Sequence, residues 1–468
     1  MRFSTILSDL RNTGGISRDC HKERYFTHTP ILPHSHTPIL VLILFLLTVP
    51  SCVRARGAER LENGMRLLVH PNTASQVVSV ELLFDYSSAD EPAYSTGLRR
   101  VLLCAMLQGS RASSGDEIQH TLNAVGGTLE GRILPTAVEF TLTIPADALP
   151  TGLAALSEVV CRPLLSDESI QSGLEQAQRA LQMPATGAVE NASRITHALI
   201  FFNHPFAGDG NGTPLSLITI TPDAVRRGYQ SHLVPNTAVM AVAGRCDVAI
   251  VRKLLGEDFA GWKAHDRTLR PPVPMPALTD SKLTLREAPG TAACVMLSFP
   301  VCGAEHPDNL PLRLLDTVLS SGTGSRLFRI VREQRHLAYE VATIFPAQAA
   351  CGQFSLYALT GSATLEETRT ALITELARLQ TQPIGEDELR RAQALLKGRY
   401  LLSHQYSAQY AFDLAWYELL GLGSADDQTL AAAIDAITPQ QLQRVARTYF
   451  THYHLVVIVP QTNAAAEK

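Results

Sequence analysis

Arg332 and Tyr339 stand seven residues apart in Arg332-Glu-Gln-Arg-His-Leu-Ala-Tyr339. A guanidinium offers several fixed hydrogen-bond donors and a phenol offers one more. Donors of this kind, aimed at developing negative charge, stabilise a transition state. The local alternative is that Arg332 pairs with Glu333 or a helix neighbour while Tyr339 fills a strand core. His452 and His454 are two apart, so on a strand they share a face. No third ligand lies near them, and they read as surface histidines next to an edge strand. The glycine-rich stretch Ser320-Ser-Gly-Thr-Gly324 lacks the Lys-Ser/Thr of a phosphate loop, which argues against a nucleotide site. Cys20, Cys52, Cys104, Cys161, Cys246, Cys294, Cys302 and Cys351 form no Cys-x-x-Cys pair. Several, such as Cys161 and Cys294, sit in apolar runs, where cysteine is a small core residue.

The elements that must position these groups come in two copies. Thr221-Pro222 and Thr438-Pro439 both read as helix starts, with threonine as N-cap and proline at the first helical position. Each helix is followed at the same offset by an apolar strand, Ala238–Ala243 and Leu455–Val459. At the front of each copy an apolar strand (Val77–Phe84, Ala293–Phe299) precedes a turn with Asp90-Glu91-Pro92 or Glu305-His306-Pro307, then a long apolar helix. The chain is therefore read as α/β (α+β): two tandem homologous lobes, each a mostly antiparallel sheet packed with helices, facing each other as a clamshell. The expected divisions are a leader at 1–58, a first lobe at 59–265, a linker at 266–286 around the proline-rich Leu269–Pro276, and a second lobe at 287–462.

A chain of 468 residues, 46% apolar and 18% charged, has more than enough sequence for two packed units. Its formal net charge of -4 and lack of a Lys/Arg stripe argue against nucleic acid as a partner. The uncharged run Ile39–Val49 is short for a membrane span and fits a signal-peptide core, so export to the periplasm, with a possible anchor, is expected. Val49-Pro50-Ser51-Cys52 resembles a poor lipoprotein cleavage box.

Several motifs together resemble the insulinase/pitrilysin family of zinc metallopeptidases. They are Leu61-Glu-Asn-Gly-Met-Arg-Leu-Leu-Val69, Ser87–Pro92, Gly97-Leu98, Val125-Gly-Gly-Thr128, Pro163-Leu-Leu165, His204-Pro-Phe206 and Val234-Pro-Asn236, then Gly324-Ser-Arg-Leu-Phe328, Val331-Arg-Glu333 and Leu337-Ala-Tyr-Glu-Val341. Active members carry His-x-x-Glu-His on the helix after Gly-Leu: two histidines one turn apart hold zinc and the glutamate activates water. Here those positions fall on Arg100, Leu103 and Cys104, and the family's further glutamate ligand falls near Ala180. A cation, a hydrocarbon, a lone thiol and a methyl group do not make a zinc site. Leu103 and Cys104 instead complete an apolar core helix with Leu98, Val101, Leu102, Ala105 and Met106.

The resemblance also implies a role for Arg332 and Tyr339. In the family such a pair lies in the C-terminal unit, faces the zinc, holds the substrate backbone and supports the oxyanion. His336 replaces a common turn glycine, and histidine tolerates left-handed backbone. Arg326 is expected to cap or pack. His204 belongs to a structural turn. Some members divide the work between a zinc-bearing chain and one that keeps only the Arg/Tyr pair. The leading expectation is therefore a non-catalytic subunit with no cofactor of its own. It would bind peptide and complete the active site of a homologous, zinc-bearing partner. Peptide would add to a sheet edge. The edge stretch equivalent to the family's, Thr128–Leu134, is expected to be vestigial. The alternatives are a structural assembly protein of the same fold and an autonomous zinc peptidase with atypical ligands.

Overall fold

The computed structural model describes residues 57–461, apart from 184, 186, 209, 267–272, 347–349 and 424–426. The leader run, the Cys52 box and residues 267–272 of the linker lie outside the described residues. No described helix is long and apolar enough to cross a membrane.

Two sheets share one plan. The first contains β1 (Glu59–Arg60), β2 (Arg66–Pro71), β3 (Val77–Phe84), β4 (Thr128–Ile133), β5 (Val138–Pro145) and β6 (Ala238–Gly244), in the order β1-β2-β6-β3-β5-β4. The second contains β7 (Lys282–Ala288), β8 (Ala293–Cys302), β9 (Glu340–Ile344), β10 (Cys351–Thr360) and β11 (His454–Pro460), in the order β7-β11-β8-β10-β9. Replacing β2, β6, β3, β5 and β4 by β7, β11, β8, β10 and β9 converts one order into the other. The single parallel pairing also recurs, β2 with β6 and β7 with β11. The matched helix starts are present: Thr221 Oγ1 accepts from Ala224 N (3.3 Å) and Thr438 Oγ1 from Gln441 N (3.2 Å), each ahead of a first-turn proline.

Two readings need correction. The linker assigned to 266–286 overlaps β7, so Lys282–Arg286 already belong to the second sheet. His454 opens β11, which lies between β7 and β8 rather than at an edge, and its side chain is buried. Burial, and then Lys282, hold its imidazole below the usual histidine range, which keeps it neutral. His452 is exposed.

Each sheet buries one face under helices of its own lobe. Val78, Val80, Leu82 and Phe84 of β3 join Val101, Leu102, Leu153 and Leu156 in one core, and Val295, Leu297 and Phe299 of β8 join Leu315, Leu319 and Leu376 in another. The opposite faces are covered by exchange. The Ser407–Leu419 helix of the second lobe lays Ala411, Ala415 and Trp416 on Leu83, Val239 and Ala241 of the first sheet. In return, the Ala188–Ile200 helix of the first lobe lays Ala192 against Cys294, Met296 and Val456 of the second. Alanine at the contacts lets a helix lie close to a sheet already apolar on both faces. Side chains successive along a strand alternate between faces, so strands covered on both sides read as nearly unbroken apolar runs.

Candidate functional site

The Leu98–Met106 helix starts at Gly97, whose φ of +94° and close approach to Asn211 O and Gly212 Cα (2.9 Å each from a Cβ placed there) leave room only for glycine. Its first turn is tied down by a pair that sequence reading passed over. Arg99 is fully buried and donates Nη1 to Tyr86 O and Leu134 O, both at 2.8 Å. Its Nε lies 3.4 Å from Glu91 Oε1, and the Glu91 carboxylate accepts from Gly97 N (3.2 Å) and Arg99 N (2.7 Å). Burial pushes the Glu91 carboxyl up and the Arg99 guanidinium pulls it back. The only prior signal was the spacing of Glu91 and Arg99 around Gly97.

Beyond that turn the helix is core. Leu98, Val101, Leu102, Ala105 and Met106 are buried, as expected. Leu103 is 1% exposed and presses on β4 at Gly131, where an added Cβ would sit 2.6 Å from Leu103 Cδ1. Cys104 is buried, and desolvation raises its thiol despite Arg100, so it stays protonated. Arg100 is half-buried, and its Nε has no hydrogen-bond partner among the described residues. The Asp167–Gln182 helix packs against this one at almost backbone contact. A Cβ on Gly173 would lie 2.7 Å from Val101 O and 3.0 Å from Ala105 N. Gly173, Ala177 and Ala180 share a helical face by their spacing, and Ala180, half-buried, brings no donor atom to it. The four side chains therefore do not fit zinc: one carries positive charge, two have no lone pair, and the last is a neutral thiol. Among the described residues no group of three or more His, Cys, Asp or Glu is placed to hold a metal ion.

Arg332 and Tyr339 flank the entrance to β9, the outer strand of the second sheet. Arg332 lies in a wide π-type helical stretch, Phe328–Gln334, with Arg335 N donating to Ile330 O (3.2 Å), and its guanidinium stands 4.9 Å above the Phe328 ring. His336 reverses the chain at φ +51°, in the left-handed region. Leu337 and Ala338 are buried, and Tyr339 N donates to Leu359 O (3.1 Å), which extends the β9–β10 ladder by one residue. The Tyr339 side chain is nonetheless 51% exposed. Desolvation raises its phenol, so it remains a proton-bearing donor at neutral pH. Arg332 does not pair with Glu333, and Tyr339 does not fill the core: no described residue forms an ion pair or side-chain hydrogen bond with either. Arg326 packs as expected, donating twice to Glu388 (3.1 and 2.6 Å). His204 serves its turn, with Nε2 2.8 Å from Pro274 O and Nδ1 accepting from Phe206 N (3.1 Å).

Thr128–Ile133 is a complete strand, β4, paired along its whole length with β5 at the edge of the first sheet. On the face under the exchanged Ser407–Leu419 helix, β3 and β5 carry a buried acidic pair, Glu81 and Glu139, which sequence reading also missed. Its signal was a glutamate inside the apolar run Val77–Phe84.

The family model described as insulinase (peptidase family M16) matches residues 66–205, and that described as peptidase M16 inactive domain matches residues 219–396. The chain is 26% identical over 403 residues to an uncharacterized zinc protease of Streptomyces coelicolor, covering 83% of this chain and 85% of that one. It is 21% identical over 397 residues to the mitochondrial-processing peptidase subunit beta of Mus musculus, covering 83% and 81%. The crystal structure of a peptidase M16 inactive domain from Pseudomonas fluorescens has the same fold, with a TM-score of 0.78 at 18% identity over 86% of this chain and 98% of that one. The two models together span more than half of the sequence, the second running from the last part of the first lobe into the second lobe, and the chain belongs to the insulinase family of peptidases, M16.

Proposed function

We propose that this chain is the non-catalytic subunit of a heteromeric zinc peptidase: it binds extended peptide and completes the active site of a homologous, zinc-bearing partner. The observation that carries the reading is the contrast between the two sets of family positions. Arg100, Leu103, Cys104 and Ala180 do not suit zinc, whereas Arg332 and Tyr339 are exposed and make no ion pair or side-chain hydrogen bond with any described residue. An exposed guanidinium and phenol whose hydrogen-bond donors meet no acceptor side chain among the described residues are available to an oxyanion or a peptide carbonyl from outside the chain. That one of the relatives is named a subunit is in keeping with a divided enzyme. No cofactor is assigned to this chain; the zinc belongs to the partner. Export, read from Ile39–Val49, places the pair in the periplasm.

The test is reconstitution with the zinc-bearing homologue. The chain alone should hold no stoichiometric zinc and cleave no peptide. Arg332→Ala or Tyr339→Phe should lower kcat of the reconstituted pair about 100- to 1000-fold with an unchanged melting temperature, the size seen when one oxyanion donor is removed. Chelator-sensitive proteolysis by the chain alone would overturn the reading. Full activity in both variants would leave the pair with a packing role only.

A further inference from the structure

In the first lobe the space between the Leu98–Met106 helix, β4 and the Asp167–Gln182 helix is filled, by Leu103 against Gly131 and by the close approach at Gly173. The second lobe builds the same place from the Asn309–Ser320 helix, β9 and the Glu386–Ser403 helix, and leaves it open. Pairing register supports the match. Gly131, Phe140 and Leu82 form one row across β4, β5 and β3, and Thr343, Leu356 and Leu297 form the corresponding row across β9, β10 and β8, each row on the face under its own lobe's helices. Against Gly131 stands a hydrocarbon, Leu103. Against Thr343 stands a carboxyl, Asp316, whose Oδ1 accepts from the Thr343 hydroxyl.

The opening is a cavity of about 290 Å³ whose walls include Asp316, Ser320, Ser321, Thr343, Leu395 and Arg399. Two opposite charges face it without meeting. No ion pair joins Asp316 to Arg399, or either of them to any other described residue; each is held by a hydroxyl instead. Thr343 donates to Asp316 Oδ1, and Asp316 Oδ2 has no donor among the described residues. Arg399 Nη1 donates to Ser321 Oγ (2.6 Å), and its other N–H groups have no acceptor among them. Ser320 Oγ is hydrogen-bonded to Thr343 Oγ1, which fixes the wall between the two charges. Burial raises the Asp316 carboxyl, and Thr343 and then Arg399 draw it back. A round cavity of this volume is roughly 8 Å across, enough for two hydrogen bonds of about 2.9 Å with about 2.5 Å between the groups that make them.

We propose that this cavity binds a free α-amino acid with an apolar side chain, its ammonium on Asp316, its carboxylate on Arg399 and its side chain along Leu395. A simple cation drawn to Asp316 would also sit beside Arg399, and a simple anion drawn to Arg399 would sit beside Asp316. A ligand that carries both charges on neighbouring atoms satisfies both groups at once. The hydroxyls of Ser320 and Ser321 can donate or accept, so they suit either end of it. Leu395 is the apolar part of the wall, and it offers a hydrocarbon side chain a surface to cover. An arriving ammonium favours the ionised form of Asp316. The inference does not depend on the peptide-binding role proposed above, because neither Arg332 nor Tyr339 lines this cavity.

The experiment measures binding of L-leucine to the full chain by isothermal titration calorimetry. Two derivatives are run beside it: N-acetyl-L-leucine, which lacks the ammonium, and L-leucinamide, which lacks the carboxylate. Leucine should bind saturably, with a Kd below about 1 mM. It should bind about 10-fold or more tighter than either derivative, the scale of one charge-assisted hydrogen bond. Arg399→Gln should bring leucine down to the affinity of leucinamide without altering the affinity for leucinamide itself. Asp316→Asn, which keeps an acceptor for Thr343, should bring leucine down to the affinity of N-acetyl-leucine. Arg399 lies at the surface, so its variant guards against a folding defect in the half-buried Asp316 variant. Absence of saturable leucine binding, equal binding of leucine and both derivatives, or a preference for leucine over leucinamide that survives Arg399→Gln overturns the site.

Discussion

Glu91 of the first lobe and Asp308 of the second both lie in the turn between the first inner strand and the long apolar helix, and each holds an arginine, Arg99 from that helix and Arg444 from Pro439–Tyr449. Arg99, the partner of Glu91, has a fully buried side chain, whereas Arg444, the partner of Asp308, is 54% exposed. The two carboxyls respond oppositely. Burial raises Glu91, while hydrogen bonds from Arg444 (Nη1 to Oδ2 3.1 Å) lower Asp308. One turn is therefore fixed by a dehydrated ion pair and the other by a wet one. The lobe with the dry pair also buries the carboxyls of Glu81 and Glu139.

The largest effect expected from this contrast is in the dry pair. Glu91→Ala leaves Arg99 charged and unpaired inside the protein and should cost roughly 3–5 kcal/mol. Asp308→Ala frees Arg444 to turn to water but leaves the buried Tyr449 hydroxyl unpaired, and should cost less, about 1–3 kcal/mol. Urea unfolding measures both, and equal costs would end the distinction. The Asp308 contribution also has a pH signature. Its folded pKa is depressed, so the stabilisation is present above the unfolded value of about 4 and fades as pH falls through and below it.

Next in size is the helix exchange. Ala415→Leu, on the helix lent to the first sheet, and Ala192→Leu, on the helix lent to the second, each overfill a close contact and should cost about 1–3 kcal/mol. Because each substitution loosens one lobe from the other, both should lower a single calorimetric transition. Two separate transitions in either variant would show that the exchange does not join the lobes into one unit.

The smallest effect concerns the buried acidic pair, Glu81 and Glu139. Glu81 has a raised folded pKa, so its favourable contribution is present below the carboxylate range and is lost as pH rises. Glu81→Gln should therefore stabilise the protein by about 1–2 kcal/mol at pH 8, the scale of an unpaired buried polar group, and by little at pH 4. Melting temperatures across that range check it. A Glu81→Gln variant less stable at pH 8 would mean the ionised carboxylate is well held by its neighbours.

The sheets, their repetition and the helix starts were legible because each rests on short-range patterns: apolar strands, Thr-Pro caps and turn residues at matching offsets. The zinc positions were legible as absences, since side chains without lone pairs cannot become ligands in any fold. Tyr339 was legible only through the family frame. Its exposure depends on how the wide turn through Arg332 and His336 meets β9. His454 was misplaced because an apolar strand near the chain's end reads equally well at a sheet's centre or its edge, and only pairing partners decide between them. Arg99 and Glu81 were passed over because nothing in a linear sequence tells a buried charge from an exposed one until the covering element is known.

Read without coordinates, the 468 residues determined that there are two lobes of one design, which follows from periodicity. The family resemblance then singled out Arg100, Leu103, Cys104 and Ala180, whose side chains do not suit zinc. Which helix covers which sheet was decided only in three dimensions. An alanine-lined face can pack on any apolar surface, and the exchange is settled by which unpaired face lies within reach once both sheets have formed. Under one exchanged helix the first sheet keeps the buried acids Glu81 and Glu139, and under the other the second sheet keeps Gln353, Ser298 and Ser355 in hydrogen bonds that reach Thr196.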